Sequence, residues 1–318
     1  MGLLKVKEKP VNAIVPDREP GKTKTVAVPP LPRRQATAMP VFRIRHETIY
    51  SYSSPVTLSP HQLYLRPRGD HRLKLNSSTL ALYPAAEVVW RNDMYGNSVA
   101  RARFAGETAQ LDIISELEVE TFPRSEKQRR LLLETGAAHY SNQEGQILAP
   151  FIQQAPDTLE AVSTWVKAGP RAPKGVYERL LECVARIRHE FDYRIRFEPG
   201  LQSPSETLGL HSGTCRDFAE LMIAAARSIG CAARFVTGYV FTPNAAPGSS
   251  SPHAWAEVYL PALGWIELDA TNGLVDDGDL ISVASAANGV ELTPISGAFT
   301  GFGATSSMSV AVDVVKLS

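Results

Sequence analysis

Three residues of this chain could do chemistry together: Cys215, His253 and Asp269. Cys215 opens the apolar stretch CRDFAELMIAAARSIG, directly after Ser212-Gly213-Thr214. Phe218, Met222, Ala225, Ala226 and Ile229 recur there at helical spacing, which predicts a helix with one buried side. Thr214 is then the N-cap residue and Asp217 the third helical position, a short-armed relative of the capping box. Gly230 supplies the C-terminal stop. Cys215 falls at the first helical position, where unsatisfied N–H groups and the helix dipole stabilise negative charge on sulfur. Gly213 leaves room for a substrate backbone. Taken alone, the helix suits a buried structural cysteine equally well, because nothing in it supplies a base.

A thiolate nucleophile needs a base, and the base needs an orienting group. Of the seven histidines, His46, His61, His71, His139, His189 and His211 sit in strands, turns or charged helix faces with no pattern around them. They read as solvated or capping side chains. His211 is close to Cys215 in sequence, but catalytic partners usually converge from distant segments. His253 opens the strand-like HAWAEVYL, right after the Pro/Gly/Ser-rich TPNAAPGSSSP. Strand ends beside such loops are where active-site residues gather.

The next strand, WIELD, ends at Asp269. A four-residue loop at Pro261-Ala262-Leu263-Gly264 would put His253 and Asp269 on opposite sheet faces. A three-residue loop with Gly264 in a bulge sets Asp269 opposite Trp255, with His253 its diagonal neighbour on the same face. Diagonal Cα atoms lie roughly 7–8 Å apart, a gap that an imidazole and a carboxylate can bridge. The glycine favours this second register, so a bulged turn and a His253–Asp269 hydrogen bond are expected. Together the three residues supply nucleophile, base and orienter for acyl transfer through a thioester. The backbone N–H of Cys215 can serve as one oxyanion donor. Tyr193, in FDYRIRF, is a candidate for the second, with a packing role as its alternative.

The elements that must position these residues show in the rest of the chain. Its 318 residues are 44% hydrophobic and 21% charged, enough for two domains with real cores. Residues 1–40 stand apart, with seven prolines, no aromatic residue, eight Lys/Arg and three Asp/Glu. Such a basic, Pro-rich tail is expected to be disordered; Met39 near its end is a candidate start. Period-two alternation begins with FRIRHETIYSY, and HQLYLRPR, STLALYPAAEVVW, SVARARFAG and AQLDIISELEVETF follow between turn signals. This predicts a β-rich, sandwich-like domain over 41–122. Residues 123–156 read as a connecting segment. A helix is expected from Asp157, with Glu160 as capping partner, to the Gly169-Pro170 stop. Another covers about 174–190, with Cys183 as a core thiol beside its stripe. Three strands after the Cys215 helix complete an α+β domain over 157–318: ARFVTGYVF, HAWAEVYL and WIELD.

GTCRDFAELMIAAARSIG and HAWAEVYLPALGWIELDATNG, at this separation, resemble the core of the bacterial transglutaminase-like proteins. RIRHETIYSYSSPVTLSPHQLYLRPR and the later RNDMYGNSV are similar to the β-rich N-terminal region that accompanies that core. The resemblance extends over about 41–315, including LISVASAANGVELTPISGAFTGFGA. It implies a papain-like transglutaminase core, the Cys helix packed on an antiparallel sheet, with Cys215 as nucleophile, His253 as base and Asp269 as orienter. A protein or peptide substrate is expected, with neither cofactor nor metal. Two departures stand out. Ala270 replaces the family's usual proline after the aspartate, which would loosen the strand exit, and Cys231 stands in a segment that is usually Gly-hydrophobic-Pro.

Other classes are weighed against this reading. A formal net charge of zero argues against nucleic acid or anionic membrane as a partner. No membrane-length apolar run and no signal h-region occur. Three irregularly spaced cysteines, Cys183, Cys215 and Cys231, fit a reducing cytoplasm rather than a disulfide framework, and no zinc-spaced cluster appears. Asp276-Asp277-Gly278-Asp279 misses the spacing of a calcium loop and reads as a solvated turn. A non-catalytic peptide-binding module on the same fold is the competing class, and an intact Cys/His/Asp set argues against it. With water as acceptor the chemistry is that of an amidase or protease; with an amine it is that of a transglutaminase. Bulk water favours hydrolysis. The sequence leaves oligomeric state open.

Overall fold

The computed structural model describes residues 39–318 apart from 135, 155, 170–174, 196–199, 244, 247 and 249. The expected tail over 1–40 therefore lies almost wholly outside the described residues. The N-terminal region supplies β1 (Val41–Leu58), β2 (His61–Arg66), β3 (Leu73–Tyr83), β4 (Ala86–Asn92), β5 (Ser98–Phe104) and β6 (Glu107–Thr121). Alternation decides the faces: Phe42, Ile44, His46, Thr48, Tyr50 and Tyr52 of β1 are all buried on one side.

Then come α1 (Glu126–Leu133), α2 (Asn142–Ile152), α3 (Pro156–Lys167), α4 (Val176–Glu190), β7 (Asp192–Tyr193), α5 (Pro204–Leu210), β8 (Ser212–Gly213) and α6 (Cys215–Ser228). The chain closes with β9 (Ala232–Val240), β10 (His253–Leu260), β11 (Gly264–Asp269), β12 (Leu274–Val275), β13 (Leu280–Ala286), β14 (Ile295–Ser296), β15 (Phe299–Thr300) and β16 (Ser306–Lys316). The fold is α+β, with antiparallel sheets and one short parallel pair, β7 with β8.

Two sheets form the sandwich: β15-β1-β6-β3, with β16 on the same edge of β1 as β15, and β14-β2-β5-β4. Tyr50, Val56, Leu63, Leu65, Leu111 and Ile113 fill the space between them. The last three strands were expected to stay with residues 157–318, but they pair with β1 and β2. An 18-residue strand carries β6 along one edge only, and its other row of N–H and C=O groups must also be paired. Residues 295–316 satisfy that need. Alternation in a sequence shows that a strand exists but not which edge it will join.

The connecting segment over 123–156 also contains more structure than the sequence reading assigned. Both α1 and α2 begin with full capping boxes, Ser125 with Gln128 and Ser141 with Glu144. Those S-x-x-Q and S-x-x-E patterns were legible signals. The helix α3 starts at Pro156, one residue before the expected start.

The third sheet runs β12-β11-β10-β9-β13. On one of its faces Ala254, Ala256, Val258 and Leu260 join Phe218, Leu221, Met222 and Ala225 of α6 in a single apolar core. Side chains of this size and number supply most of the cohesion, at about 25 cal/mol per Å² of apolar surface removed from water. The first half of β1 belongs to the same core, with Phe42 against Phe241 at 5.6 Å. His46 is buried, with Nδ1 2.9 Å from the Tyr239 hydroxyl and Nε2 2.9 Å from Thr48 Oγ1. Burial pushes its pKa down to about 4. It joins sandwich and sheet as a neutral ring and is not the solvated side chain expected.

Two polar contacts complete this junction. Asn97 donates through Nδ2 to the Ser285 carbonyl (2.8 Å) and accepts the Ser285 N–H at Oδ1 (2.9 Å), so its amide pairs like a strand residue with the edge of β13. Asp276 is buried between Arg72 and Arg124, and Arg72 also reaches Glu267 at 3.1 Å. The Asp276-Asp277-Gly278-Asp279 turn is thus an internal ionic joint and not the solvated turn the sequence suggested. No group of metal-ligating side chains forms among the described residues.

Candidate active site

The site is built from α6 upward. Thr214 caps the helix and Asp217 closes a capping box, its Oδ2 accepting from the Thr214 N–H and hydroxyl at 2.9 Å each. Oδ1 of the same fully buried carboxylate accepts the Gln202 N–H at 2.8 Å. Asp217 therefore fixes both the helix start and the chain that leads into α5. Ile229 ends the helix and Gly230 follows at φ +83°, the left-handed stop expected. Cys215 is the first helical residue and is 8% exposed.

The hairpin of β10 and β11 positions the next two groups. Ala256 faces Leu268 and Leu260 faces Gly264, which leaves a three-residue turn over 261–263. Gly264 has φ +77°, the left-handed geometry of the bulged register. The face of β10 away from α6 carries His253, Trp255 and Glu257, and Asp269 joins that face. His253 Nε2 lies 2.9 Å from Asp269 Oδ2. The imidazole also lies within electrostatic reach of the Cys215 side chain. The Trp255 ring stacks on the imidazole at 5.9 Å.

The electrostatics follow from this packing. Burial works against a positive charge on His253, but the Asp269 carboxylate and the Cys215 sulfur outweigh it and raise the pKa to about 10. The imidazole keeps its proton at neutral pH. Burial also works against charge on Asp269, yet His253 and Asn272 hold its carboxyl below the usual range. Asp269 Oδ1 accepts the N–H groups of Thr271 (3.0 Å) and Asn272 (3.2 Å), and Oδ2 accepts Asn272 Nδ2 at 2.8 Å. The Gly273 N–H donates to the Asp269 carbonyl at 2.8 Å. The strand exit was expected to be loose because Ala270 replaces a proline; these bonds and the burial of Ala270 tie it down instead. Asn272 went unnoticed in the sequence, although D-A-T-N-G is a recognisable turn signal.

Tyr193 pairs in the β7–β8 ladder opposite Gly213, within electrostatic reach of the Cys215 side chain. Burial first, then Cys215, pushes its phenol upward. His211 ends α5 in left-handed backbone at φ 48° and packs its ring on Phe191. Cys183 and Cys231 are buried elsewhere, and burial pushes both thiols up to about 12. The arrangement therefore offers one sulfur with a proton-bearing imidazole, a buried carboxylate behind it and a tyrosine beside it.

Comparison with known proteins gives the family and the fold. The model of the bacterial transglutaminase-like N-terminal region matches residues 42–120, and that of the transglutaminase-like superfamily matches 163–270, the span that holds all three residues. An uncharacterised protein of Mycobacterium tuberculosis is 29% identical over 290 residues, covering 86% of this chain and 92% of its own. One from Mycobacterium leprae is 27% identical over 284 residues, covering 86% and 98%. A solved structure of a proposed cysteine protease from Cytophaga hutchinsonii aligns with a TM-score of 0.70 at 21% identity, over 89% of this chain and 92% of that one.

Proposed function

The chain belongs to the transglutaminase-like superfamily, and from that premise we propose that it is a cysteine-dependent enzyme transferring acyl groups from protein or peptide amides to water. One observation carries the reading: His253 is hydrogen-bonded to buried Asp269, and its imidazole feels both that carboxylate and the Cys215 side chain. The sulfur attacks the amide carbonyl while its proton resides on His253. A sulfur–carbon bond forms and the carbonyl π pair moves to oxygen, facing the backbone N–H of Cys215. The pair returns, the carbon–nitrogen bond breaks, and His253 passes its proton to the departing amine or ammonia. Water then gives a proton to His253 and its oxygen to the carbonyl carbon, and the thiolate leaves. Asp269 keeps the ring oriented and stabilises its charged form throughout. Tyr193, near the same side chain, is a candidate to steady either the thiolate or the oxyanion.

The three free cysteines suit a reducing compartment, and the cytoplasm is our proposed location. No helix among the described residues is long and apolar enough to cross a membrane. The test is to incubate the protein with glutamine-containing peptides, with and without a primary amine, and follow products by mass. Deamidated or cleaved peptide, lost in Cys215→Ala, is the expected result. Incorporated amine would transfer the assignment to transamidation. No product in either arm, with Cys215 no more readily alkylated than Cys183 and Cys231, would make the fold a binding module.

A further inference from the structure

Strand β4 ends its sheet and pairs only with β5 among the described residues. Its ladder runs without a shift from Ala86 opposite Phe104 to Asn92 opposite Ser98. The strand AEVVWRN holds no proline, no lysine and no bulge, and its two charges, Glu87 and Arg91, are of opposite sign. Large apolar side chains also crowd this hairpin in the open: Tyr83 is 60% exposed, Val89 52%, Trp90 40% and Met94 91%. Such a concentration along one edge marks an interaction surface.

We propose that this edge is a self-association surface, on which two copies of the chain pair their β4 strands antiparallel about a twofold axis at Val89. The sequence of the strand is self-complementary in that register. Glu87 of each copy opposes Arg91 of the other, Val89 opposes its twin, and Val88 opposes Trp90. Opposite charges and aromatic–β-branched pairs are the favourable cross-strand combinations. The pleat requires paired residues to share a face, which limits a twofold pair to steps of two, and the neighbouring registers set Arg91 or Glu87 against Val89. Only the register centred on Val89 satisfies both charges. The same axis brings Met94 beside the Pro84 turn and Tyr83 of the second copy. Present contacts do not lock the charges: Glu87 only approaches Arg103 at 4.0 Å, and Arg91 donates to Gln62 Oε1 at 3.1 Å on the exposed surface. The contact is isologous, so it closes at two copies and consumes the edge that made it.

Sedimentation equilibrium of the full chain over a range of concentrations tests this. A monomer–dimer equilibrium is expected. Glu87→Arg and Arg91→Glu should each weaken the dimer by roughly tenfold, since each sets like charges opposite one another twice. The double variant Glu87→Arg/Arg91→Glu should restore it, which also shows that the single variants fail at the interface and not in folding. A protein that stays monomeric throughout, or a dimer indifferent to the single reversals, would overturn the proposal, as would a double reversal that does not rescue.

Discussion

His253 Nε2 lies 2.9 Å from Asp269 Oδ2 because the hairpin between them turns in three residues and re-enters the sheet at Gly264. The left-handed φ of +77° at that glycine sets the register. One more residue in the turn would send the carboxylate to the other face. A backbone property of a residue that touches neither partner thus controls their meeting.

Gly264→Ala is expected to lower stability by about 1–2 kcal/mol, the cost of a β-carbon in left-handed backbone. A Cβ there would meet nothing closer than Tyr259 at 4.0 Å, so sterics with neighbours add little. Gly264→Asn should lose less, since asparagine tolerates this conformation. Urea unfolding midpoints of the three proteins check the ranking.

Asp269→Asn should leave the fold in place and reduce kcat by about three orders of magnitude or more, because the imidazole loses the group that orients and charges it. Far-UV circular dichroism and steady-state amide turnover, compared with wild type, make the measurement. Activity within about tenfold of wild type would count against Asp269 as orienter.

The His253 imidazole is expected to titrate near 10 in the wild-type protein and lower in Cys215→Ala, where Asp269 still raises it but the sulfur no longer does. The sign for stability follows. A pKa raised above its ordinary 6.5 contributes stability that is fully present below about 6.5 and is lost as pH rises through about 10. Histidine ring NMR signals, followed from pH 6 to 11 in both proteins, report the shift directly.

Iodoacetamide at neutral pH should label Cys215 well before the other two thiols. Burial pushes Cys183 and Cys231 up to about 12, which leaves them almost entirely protonated, whereas Cys215 sits at a helix N-terminus near a charged imidazole. Peptide mapping after a short pulse gives the order. Equal labelling of all three would remove the argument for a special sulfur.

Asn97→Leu should destabilise the chain by about 1–3 kcal/mol, because it leaves the buried Ser285 N–H and carbonyl without partners. Since β13 pairs β9, and β9 pairs β10 opposite His253, the loosening should reach the site. Hydrogen exchange at the Ser285 amide is the sensitive readout, with the unfolding free energy as its companion.

Much of this molecule was readable from local pattern. The Cys215 helix, its Thr214–Asp217 start and its Gly230 stop follow from helical spacing and capping chemistry, which act within a few residues. The buried face of β1 follows from period-two alternation. The His253–Asp269 contact was readable because a hairpin is local and one glycine distinguished its two registers. The capping boxes at Ser125 and Ser141 were equally local and were passed over in a segment that looked like a connection.

What the sequence by itself determined, then, was the identity of the candidate site residues and the local geometry that presents each of them. The tertiary structure decided which distant segments complete one another. It brought Tyr193 to the Cys215 sulfur through a two-residue parallel ladder, buried Asp276 between two arginines, and returned residues 295–316 to the N-terminal sheets. These are long-range pairings between groups that each have several acceptable local partners. They are selected by the need to satisfy every buried polar group and sheet edge at once, a condition on the whole chain that no short stretch expresses.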